Sequence, residues 1–242
     1  RSSDLKKAFV LFICIVGICF LVTRMVRVED KTTVKVHNMH TEQNEKAIRY
    51  VASNMIKEDP KIAITFDDGP SPAWTPQLLD GLKERNVKAT FFLIGENAKN
   101  NPELVKREAE EGHLIGNHTY HHVEITRVPD ETAQEEILMT NEVITGITGE
   151  EVSYMRPPFG VWQKNLERKL DVMPVLWTID PLDWTTDNED EIINKVVTQA
   201  GENDIILLHD CYESSVNAAL RIVDILQKEG FEFVTVDELI MN

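Results

Sequence analysis

Asp67 and Asp68 stand side by side in the segment TFDDGP (65–70). Two carboxylates at one point of a chain can divide the labour of holding a cation and taking a proton. Further along, His118 and His122 occur in HTYHH (118–122), Arg156 in RPPFG (156–160), Asp183 in DPLDW (180–184) and His209 in LLH (207–209). A divalent metal wants imidazole nitrogens and a carboxylate oxygen, with positions left open for water or substrate. Asp68, His118 and His122 supply that set. Asp67 is then the neighbouring carboxylate that can take a proton from water whose pKa the ion lowers toward ~7. His209 is the available acid for a poor leaving group, which completes a kit for metal-assisted hydrolysis. Taken singly, the pieces have bland readings. Asp-Gly-Pro is a common turn, and histidines at i, i+4 can share one face as a surface pair. Arg-Pro-Pro can be a rigid turn, Asp183-Trp184 a hydrogen-bonded core corner, and His209 a satisfied core histidine. Their coincidence at one rim separates the two readings, and that depends on the elements around them.

From Lys61 onward, apolar runs alternate with helical patterns. Strands are expected over 61–66, 87–94, 113–116, 152–155, 174–179, 204–210 and 231–236, and helices over 75–85, 102–111, 132–145, 164–169, 189–200 and 215–229. Mostly apolar strands alternating with helices indicate a parallel sheet covered by helices. Seven such strands suit a small (β/α) barrel or an open doubly wound sheet, and the pattern alone does not choose. Each chemical segment lies just beyond a strand, where α/β folds keep their sites. No GxGxxG follows the first strand and no Walker-type loop occurs, so a nucleotide site has no support.

TFDDGP, HTYHH, RPPFG, DPLDW and LLH stand in the order of the five motifs of the polysaccharide deacetylases, the NodB-homology domains of carbohydrate esterase family 4. The chain resembles that family over about residues 60–242. The resemblance implies a distorted (β/α) barrel with about seven parallel strands, and so favours the barrel over the open sheet. It implies a general base at Asp67, a general acid at His209, and one divalent ion on Asp68, His118 and His122, zinc in the first place, with cobalt or another divalent ion able to substitute. Arg156 is similar to the arginine that orients the base carboxylate. Asp183 resembles the aspartate that pairs with the catalytic imidazole and raises its pKa. Trp184 and Leu207 resemble residues lining a pocket for the acetyl methyl, with Phe159 on the other side of the groove. Many relatives carry Tyr where Phe159 stands, so a phenol hydroxyl is absent here.

The substrate implied is an N-acetylated polysaccharide of the cell envelope, first of all the N-acetylglucosamine of peptidoglycan, with a chitin oligomer or acetyl-xylan as the alternative. A non-catalytic glycan-binding relative would usually lack a ligand or the base, and this chain keeps every one. An iron oxygenase with two histidines and a carboxylate would leave Asp67 and His209 without a task. His121 is read as a supporting or exposed histidine rather than a ligand. Cys211 is read as a small buried side chain. Asn117-His118-Thr119 fits a glycosylation sequon but overlaps a metal ligand, and is discounted.

The 242 residues carry 25 Lys and Arg against 41 Asp and Glu, a net charge of −16, which speaks against gripping nucleic acid. No protein partner is expected. Ala8 to Thr23 run for sixteen residues without a charge, preceded by Lys6 and Lys7 and followed by Arg24 and Arg27. As a helix that run covers about 24 Å, slightly short of a ~30 Å hydrocarbon core. Met25 and Val26 extend it, and the flanking cations can snorkel. A cleavable signal peptide would want a shorter apolar stretch and a small-x-small site. The expected organisation is therefore a membrane anchor over 1–30, with its transmembrane helix at 8–26, then a polar linker or packing arm over 31–59 and the deacetylase-like domain over 60–242. Flanking charge hardly decides orientation. The implied substrate does, placing the domain of a single-pass cell-membrane protein on the extracytoplasmic side.

Overall fold

The computed structural model describes residues 59–162, 166 and 170–241. The expected anchor over 8–26, nearly all of the arm over 31–59 and most of the helix expected at 164–169 lie outside the described residues. Among the described residues no helix is long and apolar enough to cross a membrane.

Seven parallel strands form one sheet: β1 (Lys61–Asp67), β2 (Thr90–Leu93), β3 (Leu114–Asn117), β4 (Tyr154–Met155), β5 (Met173–Pro174), β6 (Ile205–His209) and β7 (Glu232–Phe233). Their order is β5-β4-β3-β2-β1-β6, and β7 pairs with the start of β1. Around them lie α1 (Thr75–Glu84), α2 (Gly95–Asn100), α3 (Pro102–Glu110), α4 (Asp130–Thr148), α5 (Glu189–Val197), α6 (Glu213–Lys228) and α7 (Val236–Ile240).

β1 is central and buried along nearly its whole length, and its two-residue period sorts it into two faces. Ile62, Ile64 and Phe66 join the large core shared with Leu78 and Leu82 of α1 and Ile222 and Leu226 of α6. Ala63 instead joins Phe92, Val175 and Val234 in a smaller inner cluster. Thr65 and Asp67 share the face of Ala63, so Asp67 ends the strand on its inner side. On β6 the same parity sends Ile206 and Leu208 to the large core. That leaves Leu207 and His209 on the inner face. The parallel register then sets Asp67 directly beside His209.

The run expected as a strand over 174–179 behaves differently. Only its start pairs with β4, with Pro174 in register with Met155 and Val175 N–H donating to the Met155 carbonyl at 2.8 Å, after which the chain crosses to the far edge of the sheet. There the Thr178 and Ile179 N–H groups donate to the Ile205 carbonyl at 3.0 and 3.1 Å, and Leu207 N–H donates to the Ile179 carbonyl at 2.9 Å. One segment thus touches both edge strands and closes a distorted barrel. In the gap it crosses, the Val175 and Leu176 carbonyls accept from Arg156, each at 3.3 Å. A side chain replaces the missing ladder, which satisfies carbonyls that would otherwise be orphaned.

Two short helices were not expected. α2 starts directly after β2 at Gly95, where a Cβ would lie 2.5 Å from Thr140 Oγ1 and 2.6 Å from the Tyr120 ring. The last apolar run, expected as a strand over 231–236, is cut short because Thr235 and Glu238 form a capping box that opens α7. α4 begins and ends outside its expected bounds, stopping at Gly149, whose φ of 80° suits glycine.

Candidate active site

Strand ends and the loops behind them converge on an open cleft of about 440 Å³ lined by Asp67, Asp68, His118, His122 and His209, together with Phe159, Trp184 and Leu207. Arg156 and Asp183 lie fully buried behind its walls. All ten residues singled out from the sequence are brought to this place.

Asp68 Oδ1 lies 3.4 Å from both His118 Nε2 and His122 Nε2. That separation matches the roughly 3.4 Å edge of a tetrahedron whose corners sit ~2.1 Å from a central ion. Asp68 Oδ1 is buried and accepts no hydrogen bond, a state that is costly unless a cation completes it. His118 Nδ1 is 2.6 Å from the Arg156 carbonyl, which can only accept. Donation from Nδ1 to that carbonyl leaves Nε2, which faces Asp68, available to a cation, and is the second interaction expected of a ligating histidine. Asp68, His118 and His122 thus fit one divalent cation. Burial works to raise the Asp68 carboxyl, yet His118, with His209 and His122, brings it below its usual range. Burial and the neighbouring His118 push His122 down, toward the neutral form that a metal requires.

Asp67 is held from the inside of the barrel. Arg156 Nη1 donates to Asp67 Oδ1 at 2.8 Å and to Thr65 Oγ1 at 2.7 Å, two inward positions of the same strand. The guanidinium also lies 4.3 Å from the Phe92 ring centroid. Burial pulls the Arg156 pKa down while Asp67 opposes it. Asp67 Oδ2 remains, 3.8 Å from His118 Nε2, facing the metal set.

Across the rim, Asp183 accepts from the His209 backbone N–H and contacts His209 Nδ1, both at 2.8 Å. Burial alone would lower the His209 pKa, but the Asp183 bond and charge, aided by Asp67 and Asp68, raise it to about 9. The cleft therefore has a carboxylate on one side and an imidazolium on the other, with the cation site beside the carboxylate.

The metal histidines do not share a helical face. They flank a tight loop in which Thr119 and His122 have φ of 62° and 56°. Asp68, Phe159 and Leu182 are also left-handed, at 71°, 61° and 57°. Among the described residues, the remaining non-glycine residues of this kind are Asn86 and Asn203, a type that tolerates it. Strained backbone is therefore concentrated at the cleft. Asn117 is fully buried, which closes its sequon to a glycan. Cys211 is half-buried, and burial with nearby carboxylates pushes its thiol up to about 12.

The cleft also contains Trp177, Asp180, Leu182 and Tyr212, which the sequence did not single out for roles. Trp177 sits in the crossing segment, read as an ordinary strand. Asp180 is within the quoted DPLDW run and shapes the turn by accepting from Leu182 N–H at 2.8 Å. Tyr212 precedes α6, and its exposure beside His209 has no periodic signal. Asp210, behind the cleft, was missed as well. Its carboxylate fills the space beside Gly69 and accepts from the Thr75 hydroxyl. Burial pushes its carboxyl up to about 7, against the Thr75 bond.

A sequence model of a family described as polysaccharide deacetylase matches residues 54–175. The chain is 37% identical over 216 residues to the peptidoglycan-N-acetylglucosamine deacetylase PgdA of Listeria monocytogenes, an alignment covering 86% of this chain and 46% of that protein. It is 39% identical over 186 residues to a peptidoglycan-N-acetylglucosamine deacetylase of Bacillus cereus, covering 74% and 68% of the two. Among solved structures, peptidoglycan deacetylase PdaC from Bacillus subtilis superposes with a TM-score of 0.73 at 39% identity, over 75% of this chain and 90% of that one. The chain thus spans less than half the length of the Listeria relative.

Proposed function

Since this chain belongs to the polysaccharide deacetylase family, we propose that it is a hydrolase removing N-acetyl groups from a cell-envelope glycan, with the N-acetylglucosamine of peptidoglycan as substrate. The observation that carries the reading is the meeting of an Asp-His-His cation site with a buried Arg156–Asp67 pair and a buried Asp183–His209 pair in one cleft. A divalent ion on Asp68, His118 and His122, which we assign as zinc, would supply Lewis acidity toward a carbonyl and bring the pKa of water toward ~7.

The chain's own residues do the rest. Asp67, with Oδ1 engaged by Arg156, keeps Oδ2 turned to the cleft as the proton acceptor for the attacking water. An amide is a poor leaving group, because the amine departs only when protonated. His209, with Nδ1 tied to Asp183 and its pKa near 9, arrives cationic and offers Nε2–H to that nitrogen. Leu207 and Trp184 receive the acetyl methyl. Phe159, Trp184 and Tyr212 expose flat aromatic surface around the opening, suited to the apolar face of a sugar ring. The apolar run over 8–23 serves, in this reading, as the anchor that keeps the domain at the outer face of the cell membrane.

Acetate release by the full chain from peptidoglycan, chitin oligomers and acetylated xylan, with and without a chelator, tests the proposal. Release from peptidoglycan that stops on chelation and returns with zinc is expected. Acetate from chitin or xylan alone would move the substrate, and no acetate from any polymer would sink the hydrolase. Asp67→Asn should abolish turnover while the metal stays bound, whereas His118→Ala should lose both.

A further inference from the structure

Glu136 lies on α4, away from every segment that carries the chemistry, yet its side chain is buried against the loop between the two metal histidines. Its Oε2 accepts the Tyr120 N–H at 3.0 Å and the His121 N–H at 2.8 Å, and its Oε1 meets His121 Nδ1 at 2.8 Å. On the other side, the first N–H groups of α2 donate to the same loop, Gly95 to the Thr119 carbonyl at 2.9 Å and Glu96 to the Tyr120 carbonyl at 3.0 Å. Asn117 Oδ1 accepts from Thr119 N–H at 2.7 Å. The loop is thus gripped at successive peptide groups by two helices.

That grip has something to oppose. Thr119 is β-branched and left-handed, and His122 is left-handed too. Residues in this region are strained and persist only where surroundings over-determine them. A relaxed loop would carry the His122 ring away from Asp68 Oδ1, because the two ligating histidines are joined only through these three residues. The Tyr120 and His121 N–H groups would also lose their buried acceptor.

We propose that Glu136 is the positioning residue of the metal site, holding the 118–122 loop in the strained shape that aims His118 and His122 at one point with Asp68. His121 serves the same clamp from its exposed side and does not ligate. This rests on Asp68, His118 and His122 being the metal-binding set, and the experiment separates the two ideas.

The full chain, freed of metal, is titrated with Co²⁺ against a chromophoric chelator, and the cobalt absorption bands report ligand geometry. Failure of the parent to bind cobalt would sink the ligand set and the clamp with it. If the parent binds, Glu136→Ala should weaken cobalt about tenfold or more, within the span known for groups that orient metal ligands, and shift the bands. Glu136→Gln keeps one oxygen able to accept both backbone N–H groups and should recover affinity to within about threefold. Glu136→Ala with parental affinity and spectrum would overturn the clamp while leaving the ligand set intact. Should the alanine variant fail to fold, Glu136→Asp decides. It keeps the charge but withdraws the oxygens by one methylene, so weakened cobalt binding supports the clamp and parental binding overturns it.

Discussion

Replacing Asp183 by Asn removes one charge from the centre of the proposed acid while leaving its shape in place. Asp183 is 1% exposed and meets His209 through both oxygens, so its effect on the imidazole is undiluted by solvent. Burial works to lower the His209 pKa, and Asp183 is the main reason it stands at about 9. Without that carboxylate, only Asp67 and Asp68 oppose burial and His209 should fall back toward its ordinary 6.5, a change worth up to roughly 3 kcal/mol at 1.36 kcal/mol per pH unit. Stability follows with a definite sign. A histidine raised in the folded state contributes stability fully present below pH 6.5 and lost as pH rises through about 9. The parent should therefore shed up to roughly 3 kcal/mol over that window, and Asp183→Asn should lack this decline. In catalysis, an acid titrating at 6.5 is protonated in only about one molecule in thirty at pH 8, so activity there should fall about 30-fold from this cause alone. Imidazole NMR of the metal-free protein gives the pKa directly, and urea unfolding across pH 6–10 gives the linkage. An unmoved His209 resonance midpoint, or an alkaline limb of the rate profile unchanged in the variant, would refute the coupling.

Arg156→Met should cost about 3–5 kcal/mol in urea unfolding, because it leaves Asp67 buried without its cation and uncovers the Val175 and Leu176 carbonyls. Arg156→Lys should recover only part of this, since one ammonium cannot reach acceptors so spread around a planar fork. Glu108→Met should stabilise the protein at pH 8. Glu108 is fully buried with neither oxygen partnered, and burial, with Asp210 nearby, holds its carboxyl well above its usual range. Unfolding releases that proton between about 4.5 and the raised folded value, so the gain in melting temperature should grow with pH across that window and level off to a constant below it. Trp184→Ala should raise KM two- to tenfold with kcat little changed, as expected for an exposed ring worth about 0.5–1.5 kcal/mol to a stacked sugar.

Much of this was open to reading in the chain because the signals are local. The alternation of apolar residues in KIAITF announces a strand, and its parity already sets Thr65 and Asp67 on the face opposite Ile62, Ile64 and Phe66. Five short segments just beyond strands offered Asp67, Asp68, His118, His122 and His209 by residue type, and the family resemblance added Arg156, Asp183, Phe159, Trp184 and Leu207, whereas Trp177 and Tyr212 carried no such signal. The elements that misled were those whose local pattern competes with distant contacts. VLWTI reads as one strand but serves two edges, and FEFVTV yields its end to a cap at Thr235. HTYHH has helical spacing, but its histidines meet Asp68 through a left-handed loop.

Residue types and their spacing determined which groups could form a hydrolytic centre, and that each would stand at or just beyond the end of a strand. Only the tertiary structure decided that they meet. Arg156 reaches Thr65 and Asp67 across the barrel interior, Asp183 reaches His209 across the rim, and Glu136 grips the metal loop from a helix. The reason is physical. Periodicity is written in neighbouring residues, whereas sheet register, barrel closure and the strain stored at Thr119 and His122 arise from contacts between residues far apart in sequence, which no local pattern encodes.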